Sequence, residues 1–174
     1  MFFFSQRIRF LVLLLLFGFL FLLLAMFVTF NGCSDFNQDL SQWDVSKVRN
    51  TRGMFQFAAV FNTPLNSWML PPDCRIDYMF NQASSFNQEL DTWDTSGVSD
   101  FNYLFSGSAF NMPIGRWNLS SALSLQGMFL ENPSWNQDIS NWTVSKVFNS
   151  EYIRIPNAFI LFRTLPHPFD GSTQ

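Results

Sequence analysis

Phe36-Asn37-Gln38-Asp39-Leu40-Ser41-Gln42-Trp43-Asp44-Val45-Ser46-Lys47-Val48 is answered further along by Phe86-Asn87-Gln88-Glu89-Leu90-Asp91-Thr92-Trp93-Asp94-Thr95-Ser96-Gly97-Val98. It returns once more as Trp135-Asn136-Gln137-Asp138-Ile139-Ser140-Asn141-Trp142-Thr143-Val144-Ser145-Lys146-Val147. Looser copies begin at Phe61-Asn62 and Phe110-Asn111, so the aromatic-Asn pair recurs in steps of 25, 25, 24 and 25 residues. Seven residues after each aromatic stands a tryptophan: Trp43, Trp68, Trp93, Trp117 and Trp142. Between them stands an aliphatic: Leu40, Leu65, Leu90, Ile114 and Ile139. Met54-Phe55, Met79-Phe80, Leu104-Phe105 and Met128-Phe129 follow the first four tryptophans. Self-similarity at a fixed short period marks a tandem array, in which a unit buries its apolar face only by stacking on its neighbours.

The units are 33–57, 58–82, 83–106, 107–131 and 132–155, within a repeat region of 31–155. The single deletion lies between Phe105 and Phe110, where six residues become five, while the Phe-to-Trp spacing never changes. Val45-Ser46-Lys47-Val48, Thr95-Ser96-Gly97-Val98 and Val144-Ser145-Lys146-Val147 read as short strands after a turn. Met54-Phe55-Gln56-Phe57-Ala58 reads as a short helical turn. The expected fold is therefore an α/β repeat solenoid of leucine-rich-repeat type, with one short strand and one helical turn per 25 residues.

The N-terminus reads differently. Phe10 to Val28 is an unbroken apolar run behind Arg7 and Arg9. Its length suits a transmembrane helix, and the preceding arginines favour a cytoplasmic N-terminus and an exported remainder. Segment 1–30 is thus expected to be a signal anchor or a cleaved signal; both stay open. Phe30-Asn31-Gly32-Cys33 weakly matches a lipoprotein cleavage box. Beyond Val147 the pattern dissolves, and 156–174 reads as a degenerate cap or the end of a truncated array.

Composition narrows the function. The chain has 174 residues, 23 of them Phe, with 13% charged residues, one His and two Cys. Beyond residue 30 it carries 8 Lys+Arg against 13 Asp+Glu, so a nucleic-acid partner is not expected. No nucleophile-base pair, metal-ligand spacing or cofactor motif appears; the expectation is a non-enzymatic protein without metal or cofactor. Asn37, Asn62, Asn87, Asn111 and Asn136 are expected to form a structural ladder that satisfies backbone groups. The tryptophans form a second structural column. Strand alternation would point Arg49, Asn50, Arg75, Ser99, Asp100 and Ser124 outward as a variable contact face. Asn118-Leu119-Ser120 and Asn141-Trp142-Thr143 are N-glycosylation sequons, usable only along a eukaryotic secretory route. Cys33 replaces a small core residue, Ala58 or Ala83, and Cys74 lies out of phase with it.

The motif Phe36 to Val48, with Met54-Phe55 after it, resembles the repeat of the BspA-like leucine-rich-repeat surface proteins over residues 33–148. That resemblance implies an exported array that adheres to host or matrix proteins and has no catalytic residues. The expected location is membrane-anchored or secreted, with the repeats outside the cytoplasm. The expected partners are a membrane through the N-terminal segment, a protein or matrix component, and further copies of the chain through the open ends.

Overall fold

Apolar residues that recur every 25 positions can all be buried at once only if successive copies lie on one another. The computed structural model describes residues 26–151, and these do so. Five coils, 26–50, 51–75, 76–100, 101–124 and 125–149, stack with equivalent residues in register. Two columns of aromatic rings run through the core. Phe30, Phe55, Phe80, Phe105 and Phe129 form one, with centroids 5.6–5.9 Å apart from coil to coil. Phe36, Phe61, Phe86, Phe110 and Trp135 form the other. Within each coil the two rings stack at 3.8–3.9 Å. Offset aromatic pairs add about 0.5–1.5 kcal/mol each beyond the area they bury, so this double column is a main source of cohesion.

The backbone route is not the expected one. Among the described residues there is no helix and no strand; pairing of β type is confined to single parallel bridges, Asn50–Arg75, Asp100–Ser124 and Ser124–Asn149. The α/β, leucine-rich-repeat-like solenoid expected from the sequence is therefore incorrect. Where the helical turn was expected, the chain makes overlapping four-residue turns. The amides of Met54, Gln56 and Ala58 donate to the carbonyls of Thr51, Gly53 and Phe55. The intervening amides of Gly53, Phe55 and Phe57 donate instead to Asp77, Met79 and Asn81 of the next coil, and Thr51 N–H to Arg75 O at the junction with it. Alternate amides thus serve the coil itself and its neighbour, which satisfies the buried backbone without helix or sheet. Where a strand was expected, Val48 N–H closes a turn on Val45 O, and both valines are buried. Residues three apart on a strand face opposite ways, so two inward side chains at that spacing require a turn.

The turns fix two left-handed positions in every coil. Val28, Gly53, Tyr78, Tyr103 and Gly127 have positive φ, as do Gly32, Phe57, Gln82, Gly107 and Glu131. In each case the residue is the third of a turn, the position at which type II geometry needs φ above zero. Glycine supplies this without strain in four of the ten places, and side chains bear it in six.

The predicted signal anchor is corrected at its C-terminal end. Residues 1–25 lie outside the described residues, as do 152–174 and hence the expected cap at 156–174. Met26 and Phe30 are described, and both are buried in the first coil rather than presented to lipid. No helix among the described residues is long and apolar enough to cross a membrane. Phe30-Asn31-Gly32 takes the place held by Phe55-Gln56-Phe57, so this stretch belongs to the array and not to a cleavage box.

Two local substitutions absorb irregularities. In the fourth coil, with its missing residue, Ser108 Oγ donates to Phe105 O at 2.8 Å and accepts Phe110 N–H at 3.3 Å. The hydroxyl replaces the backbone carbonyl that serves Phe61 and Phe86, and the ring pair keeps its 3.8 Å spacing. In the second coil, Trp68-Met69-Leu70-Pro71-Pro72 shifts the turn one residue later, so that it closes from Cys74 N–H to Pro71 O. Cys74 thereby enters the buried column of Val48, Val98, Ala122 and Val147. It makes no disulfide, and burial raises its thiol pKa to about 11.

Three substitutions test these contacts. Ser108→Ala strips a buried Phe110 N–H of its acceptor and is expected to cost about 1–3 kcal/mol in denaturant unfolding, against a near-neutral Ser34→Ala control. Trp68→Phe loses the Nε1–H bond to Leu40 O at 2.9 Å and is expected to cost about 2 kcal/mol. Trp135→Phe is expected to stay within about 1 kcal/mol, because the buried Trp135 Nε1 has no partner to lose.

Candidate interaction surface

The polar columns hold the coils in register. Asn37 Oδ1 accepts the amide of Asn62, Asn62 that of Asn87, Asn87 that of Asn111, and Asn111 that of Asn136, all at 2.8–2.9 Å. The indoles of Trp68, Trp93, Trp117 and Trp142 donate to the carbonyls of Leu40, Leu65, Leu90 and Ile114 in the coil before. Trp43, in the first coil, packs half-buried against the core. A second amide ladder had no signal in the motif: Asn31 Nδ2 donates to Gln56 Oε1, and Gln56 Nε2 to Asn81 Oδ1, each at 2.8 Å. These side chains are committed to the scaffold. So are the turn aspartates. The carboxyls of Asp44 and Asp94 are held below the usual range by the hydroxyl and amide of Ser46 and Ser96, and those of Asp39 and Asp138 by the amide and hydroxyl of Ser41 and Ser140.

The six residues expected on one outward face do not share an exposure, because the strand alternation behind that expectation is absent. Arg49, Arg75 and Ser99 are exposed, Asn50 and Asp100 are half-buried, and Ser124 is buried with its hydroxyl donating to Asn102 Oδ1. Arg49 pairs with Asp73. Asn118 and Asn141 are both exposed, with Asn118 Oδ1 accepting the Ser120 amide.

The structure keeps Arg75 and Asp100 of these six and gathers them with other residues along the outer edge of coils two to four. Asp77, 1% exposed, receives Arg52 at 3.1 Å and Arg75 at 3.3 Å on its Oδ2. Arg52 lies over the ring of Tyr78, 5.0 Å from its centroid, and Tyr78 stacks on Tyr103 at 5.0 Å. Tyr103 in turn covers Gly127, where an added Cβ would come within 2.5 Å of the ring. Asp100 accepts the amide of Asn102, and its carboxyl is raised by burial, with the Asp77 charge adding to the effect. The Tyr78 phenol is raised by burial and by Tyr103. Phe57 stands 52% exposed on the neighbouring left-handed column.

Tyr78, Tyr103 and Phe57 occupy positions that other coils give to glycine. A left-handed backbone costs a side-chain-bearing residue about 1–2 kcal/mol. The sequence signal for this was present: Gly53 and Gly127, and likewise Gly32 and Gly107, fall in the same two columns. It is legible only once the turn type is known.

A family model described as "Mycoplasma protein of unknown function, DUF285" matches residues 23–83 and 74–155. No curated protein and no solved structure matches the chain. The match begins at residue 23, inside the apolar segment, in keeping with Met26 and Phe30 packing in the first coil.

Asp100→Asn tests the electrostatics of the cluster. The folded-state pKa is raised, so the charged carboxylate is penalised by folding at neutral pH and the penalty fades as pH falls through that value. Asn keeps the acceptor for Asn102 N–H, as Asn50 and Asn149 do for Arg52 and Glu151. The variant is expected to melt higher than the parent at pH 7, with the difference closing below about pH 4.

Proposed function

Because the chain belongs to the DUF285 family, whose description names no activity, we propose from its surface that it is a non-enzymatic module that binds a macromolecular partner outside the cytoplasm. The observation that carries this is the division of labour among its residues. Ring columns, amide ladders and indole bonds repeat from coil to coil and build a uniform scaffold. The side chains on its outer edge vary along the array: Arg52, Asp77, Asn102 and Gln126, all different, occupy one register, and Gly53, Tyr78, Tyr103 and Gly127, glycine twice and tyrosine twice, the next. Such a constant frame with a variable edge is how repeat proteins present extended binding surfaces. The exported location rests on Arg7 and Arg9 ahead of the apolar residues 10–25 that precede the first coil. The partner class, a protein or matrix component, follows the resemblance of the repeat to BspA-like surface proteins.

Partner capture by the immobilised chain from host surface material tests the reading. Retention of a defined protein, lost when the exposed Arg49 and Ser99 are changed together to Glu without change in the melting curve, is the expected result. Equal capture by the parent and by every surface variant would remove the proposal, as would turnover of substrate by the purified chain.

A further inference from the structure

The outer-edge cluster has two properties that the scaffold does not require. The first is conformational. Six side-chain-bearing residues sit where the backbone favours glycine; Phe57, Tyr78 and Tyr103 are the aromatic ones and lie together here, whereas Val28, Gln82 and Glu131 are not aromatic. The second is electrostatic. The arginines at 52 and 75 have side chains 48% and 51% exposed, whereas the carboxylate that holds them is buried beneath. Each uses one nitrogen on the same oxygen of Asp77, and a guanidinium carries five N–H donors. Asp100, the other acid here, is half-buried and turned in to Asn102 N–H. Positive charge therefore faces outward over buried negative charge. The ring faces are already used, Tyr78 between Arg52 and Tyr103, and Tyr103 over Gly127, so stacking of a sugar or base on them is disfavoured. What remains outward is guanidinium donors, phenol edges and the exposed ring of Phe57.

We infer that this edge is the docking site for an acidic polypeptide segment, with Arg52 and Arg75 receiving its carboxylate and Phe57 and the tyrosine edges packing beside it. Arginine and tyrosine are the residues that most often dominate protein interfaces. Packing of Arg52 on Tyr78 and its anchoring by Asp77 pre-order the guanidinium, which lowers the entropic cost of docking. The inference rests on the binding-module reading above and narrows it to one surface and one partner chemistry.

The test uses the full chain and a fluorescent peptide of alternating Glu and Leu, with its Gln-Leu counterpart, in polarisation titrations at low and high salt. The Glu peptide is expected to bind at least tenfold more tightly than the Gln peptide, with affinity falling as salt rises. Arg52→Gln and Arg75→Gln are each expected to weaken it at least tenfold. Tyr78→Gly and Tyr103→Gly relieve the left-handed strain, so they are expected to weaken the Glu peptide while the melting temperature holds or rises. Tyr78→Asn, which also accepts that backbone, serves as the second variant. Equal binding of both peptides overturns the inference. So does a fall of many degrees in the melting temperature of all three tyrosine variants, which would make the rings part of the scaffold. Concentration-dependent self-association lost in Arg52→Gln would place a second copy's acids on the edge and overturn the foreign partner. If the peptide fails but capture from host material is still lost on changing Arg49 and Ser99, the acidic-segment inference falls and the binding-module reading stands.

Discussion

The hydrogen bond from an alternate backbone amide of one coil to a carbonyl of the next is the interaction on which the rest depends. It sets the coil-to-coil offset, and through that offset it brings Phe55 over Phe30, Trp68 onto Leu40 O and Asn62 onto Asn37 Oδ1. It works only because the amides between are consumed by turns within the same coil. Those turns demand two left-handed residues per coil, and this demand is the source of the strain at Tyr78, Tyr103 and Phe57. Core, register and surface conformation thus share one cause.

The array, its period and most of its buried columns are legible in the sequence, because burial at a fixed period leaves a direct mark on residue type. The route of the backbone is not. Met54-Phe55-Gln56-Phe57-Ala58 has the composition of a helical turn, and nothing in it announces that Phe57 will take a glycine's conformation. Val45-Ser46-Lys47-Val48 has the residues of a strand, yet its valines sit at the spacing of a turn, which was the clue against that reading. The Asn column was legible because one residue type persists through all five copies. The ladder of Asn31, Gln56 and Asn81 was not, because amides of two lengths share it. The cluster around Asp77 was beyond reach, since Arg52, Arg75 and Asp77 meet only once the offset between coils is known.

Irregular copies show how much the frame tolerates. The fourth coil is a residue short, and the repair is one hydroxyl, Ser108, at the spot where a carbonyl is missing. The second coil carries two prolines in its turn and accommodates them by starting that turn one residue later, which brings Cys74 to the core column. In both cases the ring columns pass through undisturbed. Rigid packing is therefore confined to the aromatic zone, and the peripheral turns act as adjustable spacers.

The hydrogen bonds between coils also have a direction. On the turn ribbon the donor lies in the earlier coil, as from Gly53 to Asp77 or Phe80 to Leu104. On the asparagine and tryptophan side the donor lies in the later coil, as from Asn87 to Asn62 or Trp93 to Leu65. The bond dipoles of the two sides are opposed. An α-helix sums its peptide dipoles into charged ends as it grows. This architecture sets bonds of opposite sense on its two sides, so a longer array does not align all its dipoles head to tail as a lengthening helix does.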